Sequence, residues 1–320
     1  MPNTLTPSQI FSDINIPAPA GYFSTPLGAE EKRFYDENGY FVLDRVLSVE
    51  EVERINQDAA RICRNEDGAI QGVPPVPAEI SDEEIMKQVL CIHFPHKITE
   101  IMRETLSHPA IVQALTTVLG PDVKCMQSML FYKAAGKPGQ AWHQDEDYIP
   151  TRDRSLIGVW IALDDATINN GCLWIIPGSN KPGILWKQEW HANREFDCAL
   201  ESQGFPYTSD DEVPVEVKKG SVVFFNGYTL HRSLANRAAT GFRRALVNHY
   251  MSASSLLPWR LQEKTSMALT DYRDIVMVAG TDPYAYKGLE DLAKPHVRTD
   301  GASGCVSWIT KDPLPYADEE

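Results

Sequence analysis

The chain is short of positive charge: 30 Lys and Arg stand against 44 Asp and Glu in 320 residues, a net charge of −14 and a pI near 5.0. That balance argues against nucleic acid and anionic membranes as partners, since both recruit basic faces. It also mildly disfavours a coenzyme A thioester, whose phosphates need basic contacts. Cysteine is sparse too, and the six at 63, 91, 125, 172, 198 and 305 form no CxxC pair and no regular spacing. The sequence therefore lacks a disulfide framework, and free thiols in a reducing cytosol are the expectation. No stretch approaches the ~20 apolar residues of a membrane span. Residues 1–25 lack the cationic start and apolar core of a secretory leader, so a cytoplasmic protein is expected. The 43% apolar composition is ample for a packed core, read as one domain over 1–320.

What the chain does have is a series of short segments rich in Val, Ile, Phe, Tyr and Trp. They run over 127–133, 156–163, 172–176, 213–217, 221–225 and 243–251, each bounded by turn residues as strands are. Val217-Lys218-Lys219-Gly220-Ser221 and Asn169-Asn170-Gly171 read as tight hairpins. About eight such strands predict a mainly β jelly roll over 121–251, a cupin-like barrel whose mouth can hold a ligand. Upstream, the period changes to helical over 28–38, 48–64 and a pair within 96–119 broken near His108-Pro109. Ser48-Val49-Glu50-Glu51 is a capping box, and Val52, Ile55, Ala59 and Ile62 lie on one helix face. These helices are expected to buttress one sheet. Residues 67–82, with Val-Pro-Pro-Val-Pro, read as a surface loop.

Within the barrel, His143-Gln144-Asp145 is followed 86 positions after Asp145 by His231, then by Ser233 and Arg243. On an extended strand His143 and Asp145 share a face while Gln144 points away. Two imidazoles and a carboxylate are the donor set of a mononuclear non-haem iron site with open positions. Such a triplet arises by chance about half a time in a chain of this composition, so its β context carries the reading.

The segments WHQDED at 142–147, GVWIALDDATINNGCLWIIPGSN at 158–180 and GSVVFFNGYTLHRSLANRAATGFRRAL at 220–246 resemble the phytanoyl-CoA dioxygenase family. Its members are Fe(II)- and 2-oxoglutarate-dependent oxygenases with a double-stranded β-helix fold. The resemblance implies Fe(II), 2-oxoglutarate and O2 as cofactors, and His143, Asp145 and His231 as catalytic iron ligands. It implies Arg243 as the partner of the distal carboxylate of 2-oxoglutarate, with Ser233 as the hydroxyl beside it. The spacing from His231 is one residue longer than usual, so Arg244 competes; the Gly-Phe-Arg context favours Arg243. On one strand the two arginines face opposite sides. Met129 and Trp160 match positions that wall the 2-oxoglutarate pocket, and Lys87 matches a cofactor-contacting lysine, with a solvated helix residue as its alternative.

Two departures from the family pattern are Arg232, where many members have Gly, and Asn180, where His is common; neither removes a ligand. Asp145 favours hydroxylation over halogenation, because related halogenases carry Ala or Gly there to admit chloride. The implied reaction is hydroxylation of a C–H bond in a small molecule with release of succinate and CO2. Desaturation or cyclisation would use the same oxidant. The alternatives are a cupin-like metalloenzyme without 2-oxoglutarate and a catalytically silent barrel with a binding role.

The other histidines, at 93, 96, 108, 191, 249 and 296, read as surface or core residues. His249, an even number of positions from Arg243, is the one placed to face the pocket. Glu146 and Asp147 read as a solvated rim, Asp147 sharing the face of Asp145 while the strand continues. Tyr148, Trp190, Tyr228 and His249 are the candidate substrate contacts. The insert 181–212, carrying Trp186, Trp190, His191, Arg194, Phe196 and Tyr207, is long enough for a lid. The extension 252–320, with Trp259, Tyr272, Tyr284, Tyr286 and Trp308, reads as irregular chain packed over the barrel or between two copies in a homodimer.

Overall fold

In the computed structural model, residues 20–68, 70–73, 77, 79–151, 153–193, 195–197, 200–256 and 273–299 are described. Trp259, Tyr272, Trp308, Arg194, Cys198 and Cys305 lie outside them. Two β-sheets face each other. The larger pairs, in order, β1 (Tyr22–Phe23), β2 (Tyr40–Leu43), β11 (Val222–Asn226), β6 (Ile157–Ala162), β13 (Phe242–Ser252), β4 (Val123–Ala134), β3 (Val89–His93) and β15 (His296–Thr299), with β14 (Val276–Ala279) also on β4. The smaller runs β10 (Val213–Val215), β7 (Leu173–Ile175), β12 (His231–Ser233) and β5 (Gln140–His143). A separate ribbon joins β8 (Gln188–Trp190) to β9 (Leu200–Ser202).

Strand alternation divides the larger sheet into two chemically distinct faces. Val42, Trp160, Val223, Phe225, Ala245 and Val247 point inward and pack on Cys172, Leu173, Ile175 and Val215 of the smaller sheet. Their neighbours Phe41, Leu43, Val159, Ile161, Val222, Phe224 and Leu246 point outward to the helices. Phe41 and Phe224 stack there with ring centroids 4.5 Å apart. Each fully buried side chain of this kind contributes roughly 1.5–3 kcal/mol, so both faces of the sheet are committed and its register is strongly specified.

The helices are α1 (Ala29–Asn38), α2 (Val49–Cys63), α3 (Asp82–Met86), α4 (Glu100–Thr105) and α5 (Pro109–Leu119). Ser48 caps α2 as expected, its Oγ accepting from the Glu51 amide while the Glu51 carboxylate accepts from the Ser48 amide. Val52, Ile55, Ala59 and Ile62 enter the outer core, which makes α2 the buttress that its periodicity implies.

Three expectations need correction. The turns at 169–171 and 217–221 exist, with Gly171 and Gly220 at φ +83° and +86°, yet neither closes a hairpin. Each carries the chain from one sheet to the other, β6 to β7 and β10 to β11, as sheet closure in a β-helix requires. The described part of the extension is not irregular throughout, because β14 and β15 lengthen the larger sheet. Asp147 does not share a strand with Asp145, since the chain turns into a 3-10 helix over Asp145–Asp147.

Candidate metal centre

β5 ends at His143, and β12 begins at His231 directly opposite it. This pairing brings together two imidazoles that are 88 positions apart in the chain, with ring centroids 4.1 Å apart. Gln144 stays extended, so Asp145 returns to the His143 side before the chain turns. The Asp145 Oδ1 lies 3.7 Å from the His143 Nε2 and 3.6 Å from the His231 Nε2. One ligand atom from each residue falls within 4.8 Å of the others, a group able to hold a metal ion. The 3-10 turn is docked by the Glu146 amide, which donates to the Gly227 carbonyl at 3.0 Å. Gln144 points away, donating to the Ile184 and Tyr228 carbonyls and accepting from the Trp186 amide.

The donor chemistry fits a divalent metal. His143 donates from Nδ1 to the Ala141 carbonyl at 2.8 Å, and His231 does the same to Thr229 at 3.0 Å. Both bonds place the proton on Nδ1 and leave the Nε2 lone pair for a ligand. Burial and the neighbouring His143 lower the His231 imidazole to about 4, so it is neutral at physiological pH. Burial raises the Asp145 carboxyl, but His231, His249 and His143 together reverse this and hold it well below the usual range.

Beyond the three donors, β13 carries Arg243 inward and Arg244 outward. Arg244 meets Asp164 through Nε at 2.8 Å and Nη2 at 2.7 Å, on the side facing away from the barrel interior. Arg243 is 3% exposed; its Nε donates to the Gly171 carbonyl at 3.1 Å, its guanidinium lies 5.4 Å from the Trp160 ring, and its Nη1 has no partner. Burial lowers it to about 10, so it stays a cation. Met129, Val247 and Trp160 stand in one register row across β4, β13 and β6. Ser233 is buried on β12, two positions beyond His231.

Not every expected residue joins this group. Lys87 sits at the exposed end of α3, paired with Glu83 at 2.7 Å. His249 faces the site as its spacing from Arg243 implies, its Nε2 donating to Asp145 Oδ2 at 3.0 Å. Glu146 is buried, not a solvated rim, and accepts from the Thr151 hydroxyl. Tyr148, 44% exposed, bonds Gln188 of the insert through its hydroxyl, and its ring is 6.3 Å from that of His143. Tyr228 is half-buried beneath the Arg154 guanidinium, while Trp190 is 56% exposed on the ribbon. Arg232 turns outward onto Glu212 and the Trp142 ring. One residue went unnoticed in the sequence: Lys133, whose Nζ donates to Ser233 Oγ at 2.8 Å. Its signal was the even spacing from Met129, which puts both on one face of β4.

A double-stranded β-helix with two imidazoles and a carboxylate at one end defines a mononuclear non-haem metal oxygenase. Residues 35–245 match the phytanoyl-CoA dioxygenase (PhyH) family, and the chain belongs to it. This is a family of Fe(II)- and 2-oxoglutarate-dependent oxygenases. The peroxisomal phytanoyl-CoA dioxygenase of Rattus norvegicus is 31% identical over 245 residues, covering 71% of this chain and 69% of its own. Phytanoyl-CoA dioxygenase 1 of Oryza sativa subsp. japonica is 32% identical over 252 residues, covering 69% and 87%. Among solved structures, the α-ketoglutarate-dependent carbocyclase SnoK of nogalamycin biosynthesis superposes with a TM-score of 0.54 at 24% identity, covering 74% of this chain and 89% of its own. The epimerase SnoN, in complex with Fe3+, α-ketoglutarate and nogalamycin RO, gives 0.54 at 18%, covering 84% and 94%. At these identities the structures share the fold.

Proposed function

We propose that this protein hydroxylates an unactivated C–H bond of a small molecule, consuming O2 and 2-oxoglutarate and releasing succinate and CO2. The observation that carries the reading is the buried Arg243 guanidinium, with Nη1 unpartnered, on the same interior as the three donors. A buried cation with an unused donor is costly unless an anion completes it. A planar fork suits a carboxylate bidentately.

In this reading His143, Asp145 and His231 hold iron, which supplies oxidative decarboxylation of 2-oxoglutarate and oxygen transfer when bound. Arg243 and Ser233 take the distal carboxylate, while Trp160 and Met129 wall its chain. The Nδ1 bonds of the two histidines keep their rings aimed, and Asp145 occupies the position a halide would need. Tyr148, Tyr228 and Trp190 stand at the mouth, and the insert 181–212 acts as a lid that excludes water during reaction. A metalloenzyme without 2-oxoglutarate or a silent barrel would leave Arg243 Nη1 without purpose. Among the described residues no helix is long and apolar enough to cross a membrane. The buried thiols Cys63, Cys125 and Cys172 are free, which suits the cytosol.

Anaerobic Fe(II) titration with 2-oxoglutarate tests this reading. A weak visible charge-transfer band is expected, lost in His143→Ala; folded, iron-loaded protein without the band would overturn it. Product heavier than substrate by one oxygen atom supports hydroxylation, whereas a product lighter by two hydrogens would replace it with desaturation or ring closure.

A further inference from the structure

Lys133 and Arg243 are direct partners across β4 and β13, both on the inner face. They are 5% and 3% exposed, and neither pairs with a carboxylate among the described residues. Two buried cations side by side are unfavourable without an anion. Their seating is nonetheless well built. The Lys133 Nζ donates to Ser233 Oγ at 2.8 Å and to the Leu234 carbonyl at 2.6 Å. Gly171, at φ +83°, accepts from Arg243 Nε through its carbonyl. A Cβ on Gly171 would stand 3.1 Å from the Lys133 Cδ and Nζ and 2.3 Å from the Leu234 carbonyl oxygen. One glycine thus makes room for the lysine and holds the arginine.

The Lys133 ammonium has only hydrogens to give, so Ser233 Oγ is the acceptor in their bond and its own hydrogen is left to donate elsewhere. Lys133 and Arg243 therefore present donors to the cavity they border with Gln140, Phe131 and Asp197, and the Ser233 hydroxyl is bonded to the Lys133 Nζ beside them. Asp197, the acidic group there, is turned toward Arg298, whose Nη2 meets its Oδ2 at 2.8 Å. An ionised carboxylate is acceptor-only and fits such a cluster.

We infer that Lys133 is a second cationic anchor for the distal carboxylate of 2-oxoglutarate and the group that turns the Ser233 hydroxyl toward it. The inference rests on the co-substrate reading above. It assigns to Lys133 the discrimination between a 2-oxo dicarboxylate and a 2-oxo monocarboxylate. Burial and then the charge of Arg243 lower the Lys133 ammonium well below its ordinary range, a penalty that an arriving carboxylate relieves.

The test is calorimetric binding of 2-oxoglutarate and of 2-oxopentanoate to the Mn(II)-loaded full chain, wild type against Lys133→Met and, as a polar substitute, Lys133→Gln. The expected result is 2-oxoglutarate affinity weakened about tenfold or more in both variants. Mn(II) affinity without 2-oxoglutarate and the weaker binding of 2-oxopentanoate should be unchanged. A further Ser233→Ala change should cost less in the Lys133→Met background than in the wild type. Unchanged 2-oxoglutarate affinity in a folded variant, or an equal loss for both oxo acids, would overturn the role of Lys133. If the Mn(II)-loaded wild type itself binds no 2-oxoglutarate, the co-substrate reading fails and this inference fails with it.

Discussion

The Nε2 of His249 lies 3.0 Å from Oδ2 of Asp145, while Oδ1 of the same carboxylate faces the Nε2 atoms of His143 and His231. His249 stands on β13 of the larger sheet and Asp145 just past β5 of the smaller, so this bond ties the two sheets together at the site. One carboxylate oxygen is thereby occupied and the other aimed. His249→Ala should weaken Co(II) binding about tenfold, the scale of losing a partner that orients a ligand, and His249→Gln should recover part of it. Equal Co(II) affinity in all three proteins would show that Asp145 needs no such support.

Arg243 and Arg244 should separate cleanly on substitution. Arg244 is held by two charge-assisted bonds to Asp164, so Arg244→Ala should cost about 2 kcal/mol of stability and leave the 2-oxoglutarate requirement intact. Arg243→Ala should raise that requirement sharply and spare metal binding. Denaturant midpoints with 2-oxoglutarate titrations check both; a selective 2-oxoglutarate defect in Arg244→Ala would reverse the assignment.

Gly39 links α1 to the site. It ends α1 at φ +76°, and a Cβ there would stand 2.4 Å from the Thr229 Oγ1 and 2.5 Å from the Asn180 Oδ1. The Thr229 carbonyl accepts from His231 Nδ1. Gly39→Ala should therefore destabilise the fold by about 1–3 kcal/mol and weaken metal binding as well, read by thermal melting and Co(II) titration. A loss of stability with unaltered metal affinity would confine Gly39 to the helix end.

The insert should act on substrate and not on cofactor. Gln144 holds it by accepting from the Trp186 amide and donating to the Ile184 carbonyl. Gln144→Met, or shortening of 188–208, should raise the substrate KM with little change in 2-oxoglutarate affinity. An unaltered substrate profile would reject the lid.

Stability should fall on mild acidification, in part for a reason outside the site. Burial, then His296 and Arg298, lowers His93 to about 3; burial, then Lys97, lowers His96 to about 4. Unfolded histidine titrates near 6.5, so below that pH the unfolded chain binds protons that the native one refuses. Stability is thus full above about pH 6.5 and declines as the pH falls toward 4, by up to about 1.4 kcal/mol per pH unit for each histidine. Melting between pH 6.5 and 5 should show this slope, and His93→Phe with His96→Asn should flatten it.

Sequence by itself determined the strands and helices whose periodicity is strong, the capping box at Ser48, and the His143, Asp145, His231 set. Those features are local: alternation, caps and i, i+2 geometry act within a few residues of chain. Lys133 is legible in the sequence only as one more strand residue, because its partners Ser233 and Arg243 lie about 100 positions away. β14 lies in an apolar run, Ile275-Val276-Met277-Val278-Ala279, that does not say which strand it joins, while β15, His-Val-Arg-Thr, has little pattern of its own. Only the tertiary structure decided that 169–171 and 217–221 cross between sheets, that Arg244 belongs to Asp164, and that His249 braces Asp145. Each depends on which strand lies beside which, a long-range choice made by burying two different faces of one sheet.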